Sequence, residues 1–227
     1  MKIERYLDHS VLVPEMTDEE VKAAIQDGID HQVRTVCVRP CDIILAKEMC
    51  AGTETGVCCV LDFPHGSGGA EAKEALAQIY AGQGVDEIDM VMNYGFARSG
   101  QWEKVEDEIA RVVKAAHNHN VLVKVIFETS KLNEDQVRQA TLSSMKAGAD
   151  FVKTSTGFNG EGAKESDVEI MLKTADGKIK VKPSGGIRDY QRAKLFADMG
   201  VDRIGVGCNS TKIIASGAEA KGDESGY

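Results

Sequence analysis

Short apolar and β-branched runs recur along the chain, and between them apolar residues return every three or four positions. The runs are "YLDHSVL" (6–12), "RTVCVR" (34–39), "GVCCVLDF" (56–63), "DEIDMVMN" (86–93), "VLVKVIFE" (121–128), "DFVKTS" (150–155), "KIKVKPS" (178–184) and "VDRIGVG" (201–207). Each is short enough to be a strand, and helix-like sequence follows each. After the first run, Thr17 and Glu20 in "TDEE" predict a capping box. Val21, Ala24, Ile25 and Ile29 then form one apolar face at helical spacing. "EAKEALAQIYAGQGV" and "VEDEIARVVKAAHNHNV" run to Gly or Asn before the next strand, as helix ends do. "NEDQVRQATLSSMKAGADF" does the same, with Gly148 just ahead of its strand.

Alternation of strand and helix predicts a parallel sheet. Eight units in 227 residues fit a compact α/β fold, the (β/α)8 TIM barrel, as one domain over 1–227. An open doubly wound sheet is the rival, but no G-x-G-x-x-G follows the first strand. "GSGGAEA" (66–72) has the wrong spacing for a dinucleotide site and reads as a flexible loop. The end of the chain, 216–227, is polar and rich in glycine, and is expected to be a mobile tail.

Composition narrows the partners. A net charge of −9 argues against nucleic acid or an anionic membrane, and leaves room for a small anionic ligand at a local site. No apolar run approaches the roughly 18 residues of a membrane span. "MKIERYLDHS" has no apolar signal region, and the six cysteines contain no C-x-x-C, so a cytoplasmic protein with reduced thiols is expected. "HNH" (117–119) reads as a solvated turn and not a metal site.

Barrels of this kind carry their chemistry at the C-terminal ends of the strands. Informative polar residues in the predicted strands include Asp89, Lys124, Glu128, Lys153, Lys180 and Lys182. Alternation puts Lys153 and Ser155 on one face of their strand, and Lys180, Lys182 and Ser184 on one face of the next. Adjacent strands lie about 4.8 Å apart, so Lys153 and Lys182 should repel, and one should lose its proton more easily. A neutral lysine attacks carbonyls, and Asp89 could hold the other lysine charged or move protons. The same residues could instead be a structural ion network. "SGGIRD" (184–189) and "GVGCNST" (205–211) follow strands seven and eight, where such barrels hold phosphate, and this favours chemistry.

The segments "LDHSVLVPEMT", "VCVRP", "DEIDMVMNYGFARSGQWEKVEDEI", "VKVIFET", "GADFVKTSTGF" and "VKPSGGIRD" resemble the deoxyribose-phosphate aldolase family along nearly the whole chain. The resemblance implies a class I aldolase that needs no metal or cofactor and cleaves a sugar phosphate. It implies Lys153 as the Schiff-base lysine, with Asp89 and Lys182 as proton donor and acceptor. Gly185, Gly186, Gly207, Asn209, Ser210 and Thr156 would bind the substrate or its phosphate, and Gly157 would let the chain turn. A homo-oligomer is compatible with this reading. Cys37 is expected to line the barrel as a small apolar residue.

Val13 stands where many relatives carry lysine. Lys180 stands where a small residue is common, adding a third cation to strand seven, and "GVGCNSTKI" departs from the usual phosphate loop. These departures keep open a related Schiff-base aldolase acting on another phosphorylated aldehyde or ketone. A non-catalytic barrel that binds sugar phosphates is the alternative from another class. Tyr227, carried on the tail, is a candidate proton relay. Asp89→Asn is expected to reduce turnover severely while leaving the fold intact.

Overall fold

The computed structural model describes residues 2–217 of the chain. Eight parallel strands follow one another: β1 (Leu7–Val11), β2 (Thr35–Val38), β3 (Gly56–Leu61), β4 (Glu87–Val91), β5 (Leu122–Ile126), β6 (Phe151–Lys153), β7 (Lys180–Lys182) and β8 (Ile204–Gly207). Neighbours in sequence are neighbours in the sheet, and β8 pairs with β1. The last seam, between β7 and β8, closes through a bridge from Ser184 to Gly205 and a bond from Gly205 N–H to Pro183 O of 2.9 Å. The result is the (β/α)8 barrel that the alternating pattern predicts.

Each predicted run contains its strand but is longer at one or both ends. At two ends the backbone shows why. Asp62 after β3 and Glu128 after β5 adopt left-handed φ of 52° and 57°, which turns the chain out of the sheet. Glu128 therefore sits beyond the fifth strand instead of within it.

The helices are α1 (Asp18–Asp30), α2 (Ile43–Cys50), α3 (Ala70–Gly82), α4 (Tyr94–Arg98), α5 (Trp102–His117), α6 (Glu134–Lys146), α7 (Glu165–Ala175), α8 (Tyr190–Asp198) and α9 (Cys208–Ala215). Thr17 caps α1 in the expected capping box, with Glu20 returning to the Thr17 N–H at 2.8 Å. The short α4 was not legible as a separate helix; the Asn93 side chain starts it by accepting from Phe96 N–H. "HNH" lies at the end of α5 and in the turn after it. His117 meets Asp150 and His119 meets Gln78, so the two rings have separate partners.

Alternation along each strand divides the side chains. Outward residues such as Ile88, Met90, Val123 and Val125 pack with Ile109 and Val112 of α5 in the main core between sheet and helices. A smaller apolar cluster of Leu12, Cys37, Cys58 and Val60 lines the barrel, with Phe63 and Phe158 packed against it. Cys37 thus lines the barrel as the sequence suggests.

One buried cation ties the ends of β3 and β4. Lys73 of α3 donates to Gly66 O and Val91 O at 2.9 Å and to Glu108 at 2.8 Å, and Glu108 accepts from Asn93 N–H at 2.5 Å. Lys73→Met strands the buried Glu108 carboxylate. The variant should lose about 3–5 kcal/mol of stability. Urea denaturation at neutral pH measures this, and an unchanged midpoint would show that the clamp contributes nothing.

Candidate active site

The inward positions of the strands carry charge, which an ordinary core does not tolerate without partners. Asp89 enters from β4, Lys124 from β5, Lys153 from β6 and Lys182 from β7, all buried. Register puts Asp89 beside Lys124 and Lys153 beside Lys182. Asp89 gathers all three lysines. Its Oδ1 accepts from Lys124 Nζ at 2.7 Å, and its Oδ2 accepts from both Lys153 Nζ at 2.8 Å and Lys182 Nζ at 2.7 Å. Gly205 makes room for this: a Cβ there would come within 3.1 Å of Lys182 Cε and 2.6 Å of Ser184 Cβ.

A second layer lies beneath. Asp8 of β1 meets Lys182 at 2.5 Å and Arg203 at 2.6 Å, and Glu87 of β4 meets Lys124 at 2.5 Å and Arg203 at 2.9 Å. Thr35 donates to Asp8 at 2.7 Å. Asp8, Glu87 and Arg203 were not singled out from the sequence. A signal was there: charged residues at alternate positions within apolar runs, as in Glu87 and Asp89, share the inward face.

Among the described residues, three carboxylates (Asp8, Glu87, Asp89) face four cations (Lys124, Lys153, Lys182, Arg203) inside the barrel. With every cation protonated the interior holds one positive charge too many, and loss of one lysine proton balances it. Burial opposes the Asp89 charge, but Lys124, Lys153 and Lys182 hold its carboxyl well below the usual carboxylate range. For Lys153 the structure corrects an expectation. Burial works against its ammonium form, yet Asp89, with Cys37 and Cys58, outweighs burial and keeps its pKa above the ordinary lysine value. Repulsion from Lys182 does not decide the matter, because one carboxylate oxygen stands between the two amines.

Other expected residues divide. Lys180 shares a face with Lys182 but lies one inward position lower, exposed, with its Nζ over the Phe151 ring at 5.1 Å. It does not join the Asp89 cluster. Thr156 is also reassigned: its hydroxyl donates to Glu128, its N–H reaches the same carboxylate at 3.2 Å, and its oxygen accepts from Phe158 N–H. It is buried and holds the loop after β6, and so is not poised for phosphate. Thr154 exchanges bonds with the Ser184 backbone. Ser155, on the Lys153 face, keeps a buried hydroxyl with no protein partner among the described residues, and is the hydroxyl of "KTST" left for a ligand.

Gly185 and Gly186 adopt φ of 86° and 72° in the turn after β7, a conformation that favours glycine and leaves N–H groups free to point one way. The loop after β6 crosses this turn at backbone contact: a Cβ on Gly162 would lie 2.1 Å from Gly185 O. Gly207 is the N-cap of α9, and Ser210 falls in its first turn. Asn209 lines a groove with Cys208, Val13, Met16 and α1 residues. Of the tail expected over 216–227, Ser216 and Gly217 close α9, while 218–227, including Tyr227, lie outside the described residues.

No metal-ligand set was legible in the sequence, but folding assembles one. Cys37, Cys58 and Asp89, far apart in the chain, have ligand atoms within 4.8 Å of one another.

Comparison with known proteins gives the family. A profile of the DeoC/LacD family aldolases matches residues 3–208. The chain is 42% identical over 206 residues to deoxyribose-phosphate aldolase of Caldanaerobacter subterraneus, covering 90% of this chain and 89% of that one. It is 39% identical to deoxyribose-phosphate aldolase of Brevibacillus brevis, with both chains covered in full. Among solved structures it is similar to deoxyribose phosphate aldolase from Aeropyrum pernix, described as tetrameric. That match has a TM-score of 0.86 and 29% identity, and covers 94% of this chain and 89% of that one.

Proposed function

The chain belongs to the DeoC/LacD aldolase family, and from that membership we propose that it cleaves 2-deoxy-D-ribose 5-phosphate reversibly to D-glyceraldehyde 3-phosphate and acetaldehyde. The observation that carries the mechanism is Asp89 Oδ2, which accepts from Lys153 Nζ and Lys182 Nζ at once. Loss of one proton from this pair to solvent removes the excess positive charge, and the proton that stays can pass between the two amines through a single oxygen, so Lys153 can be the free amine as the substrate arrives.

The free amine of Lys153 adds to the C1 aldehyde of the open-chain sugar. Loss of water gives a protonated imine, which draws electrons from the C2–C3 bond. The C3 hydroxyl loses its proton as that bond breaks, and glyceraldehyde 3-phosphate departs. The enamine left on Lys153 takes a proton at C2, and water then releases acetaldehyde. Asp89 and Lys182 serve these proton transfers, while Lys124, Glu87, Asp8 and Arg203 hold Asp89 and Lys182 in place. The wall of Leu12, Cys37, Cys58 and Val60 beside the lysine suits a methylene and offers no strong partner for a C2 hydroxyl. The N–H groups of Gly185 and Gly186 and the start of α9, with Gly207 and Ser210, would take the phosphate.

Turnover of deoxyribose 5-phosphate, free deoxyribose and ketose phosphates tests this directly. The proposal expects the phosphorylated deoxy sugar to be strongly preferred and activity to survive a chelator. Preference for a ketose phosphate would transfer the same lysine chemistry to another substrate, and no turnover at all would leave a binding barrel. A cytoplasmic homo-oligomer belongs to the same proposal. Light scattering of the purified chain checks the assembly. Among the described residues no helix is long and apolar enough to cross a membrane.

Lys182→Leu removes a neighbouring positive charge and leaves Asp89 Oδ2 to Lys153 alone. The Lys153 pKa should rise further, so the free amine appears only at higher pH. The acid limb of kcat/KM should move up by about one unit, and turnover should fall about 10²–10⁴-fold as a proton carrier is lost. A pH–rate profile that overlays the parent would remove Lys182 from the chemistry.

A further inference from the structure

Cys37 and Cys58 are register partners on β2 and β3, and Asp89 lies on the next strand, β4. All three are fully buried and face into the barrel. Cys58 Sγ stands 3.2 Å from Asp89 Oδ1, and the three ligand atoms lie within 4.8 Å of each other. Around a tetrahedral soft cation, with sulfur at about 2.3 Å and oxygen at about 2.0 Å, ligand atoms are about 3.5–3.8 Å apart. The barrel thus presents two sulfurs and a carboxylate oxygen within about 1 Å of that spacing.

We propose that Cys37, Cys58 and Asp89 form an inhibitory site for a thiophilic divalent cation such as zinc or cadmium. Thiolates select such ions over magnesium or calcium. The charge balance permits it. Binding displaces the two thiol protons and adds a dication, so the net charge of the crowded interior does not change. A cation already sits against two of the three atoms: Lys124 Nζ lies 2.7 Å from Asp89 Oδ1 and 3.4 Å from Cys58 Sγ. When the metal takes that place, Lys124 has two other carboxylates to move toward, Glu87 and Asp8, which now lie 2.5 Å and 3.6 Å from its Nζ. The route in is the one the sugar must use, because Lys153 shares Asp89 with the site.

Metal on Asp89 Oδ1 draws charge out of the carboxylate, so Oδ2, through which Lys153 and Lys182 exchange a proton, becomes a weaker base. An aldolase that needs no metal for turnover would then be stopped by one. This consequence rests on the proposed roles of Asp89 and Lys153, whereas the binding site does not.

Cadmium titration separates the two. The metal-free protein should take up a single equivalent with the ultraviolet charge-transfer absorption of cadmium–thiolate bonds. Cys37→Ser and Cys58→Ala should each lose that signal, while Cys41→Ser, which alters an exposed thiol, should keep it. Borohydride trapping of acetaldehyde on the protein should fall about tenfold once the site is about nine-tenths filled, and a chelator should restore it. Circular dichroism identifies any variant that fails to fold, and Cys37→Ala and Cys58→Ser serve as the second variant at each position. Thiolate absorption that persists without Cys37 or Cys58 overturns the site. Loss of that absorption in both, with trapping untouched by cadmium in the parent, keeps the site and overturns its inhibitory role. Cadmium or zinc that raises turnover overturns inhibition and the metal-free reading together.

Discussion

Borohydride reduction in the presence of acetaldehyde should leave one stable ethyl group on the protein, on Lys153. Reduction captures the imine, and peptide mass mapping reads its position. The barrel holds three lysines on one carboxylate, so the experiment has real alternatives: Lys124 and Lys182 touch Asp89 as closely as Lys153 does. Lys124 is the deeper of them, bonded to Glu87 and Asp8 in the layer beneath. Burial opposes its charge, but Asp89, Glu87 and Asp8 hold its pKa well above the ordinary value, so it is poorly placed to become a free amine. Lys182 is bound by two carboxylates, Asp8 and Asp89. Lys153 has one, at the end of its strand, with the Ser155 hydroxyl on the same face. Lys153→Leu should lower turnover by roughly four orders of magnitude, about 5.5 kcal/mol of barrier, and abolish trapping. A label on Lys182 or Lys124 in the parent protein would move the nucleophile there.

Asp89→Asn should be damaging twice over. It leaves Lys124, Lys153, Lys182 and Arg203, all buried, with only Asp8 and Glu87 for charge partners. Removing one member of a buried charge cluster costs about 3–5 kcal/mol, so the fold is weakened, contrary to what the isolated sequence suggested. Turnover per folded molecule should also fall about 10³–10⁴-fold, since the amide cannot carry a proton between the amines. The pH dependence has a definite sign. The Asp89 carboxyl is held well below its ordinary value in the folded protein. Its contribution is therefore complete above the ordinary carboxylate range, and is lost as pH falls from there through the depressed native value. Urea denaturation should show the widest gap between parent and variant at neutral pH, and a narrower gap in acid. Equal stabilities at neutral pH would mean that the lysines do not need this anion, and near-parental turnover would make the cluster structural.

Much of this protein is legible in the order of its residues. The eight β/α units follow from period-two and helical patterns that each segment carries locally. The start of α1 follows from Thr17 and Glu20, which satisfy each other across one turn. Asp89, Lys153 and Lys182 stand out because a charged residue in an apolar run must have a partner or a task. What sequence could not supply is height along the barrel and closure across it. Lys180 and Lys182 share a face, yet two residues along a strand move a side chain by about 6.6 Å, enough to put one at the exposed lower end and the other on Asp89. Thr156 looked free for a phosphate until the left-handed turn at Glu128 brought a buried carboxylate to its hydroxyl. Asp8, Arg203, Cys37 and Cys58 have no local pattern that joins them to the lysines, because their contacts cross strands far apart in the chain. Only the closed ring, with its fixed register, sets three lysines on one carboxylate and two thiols beside it.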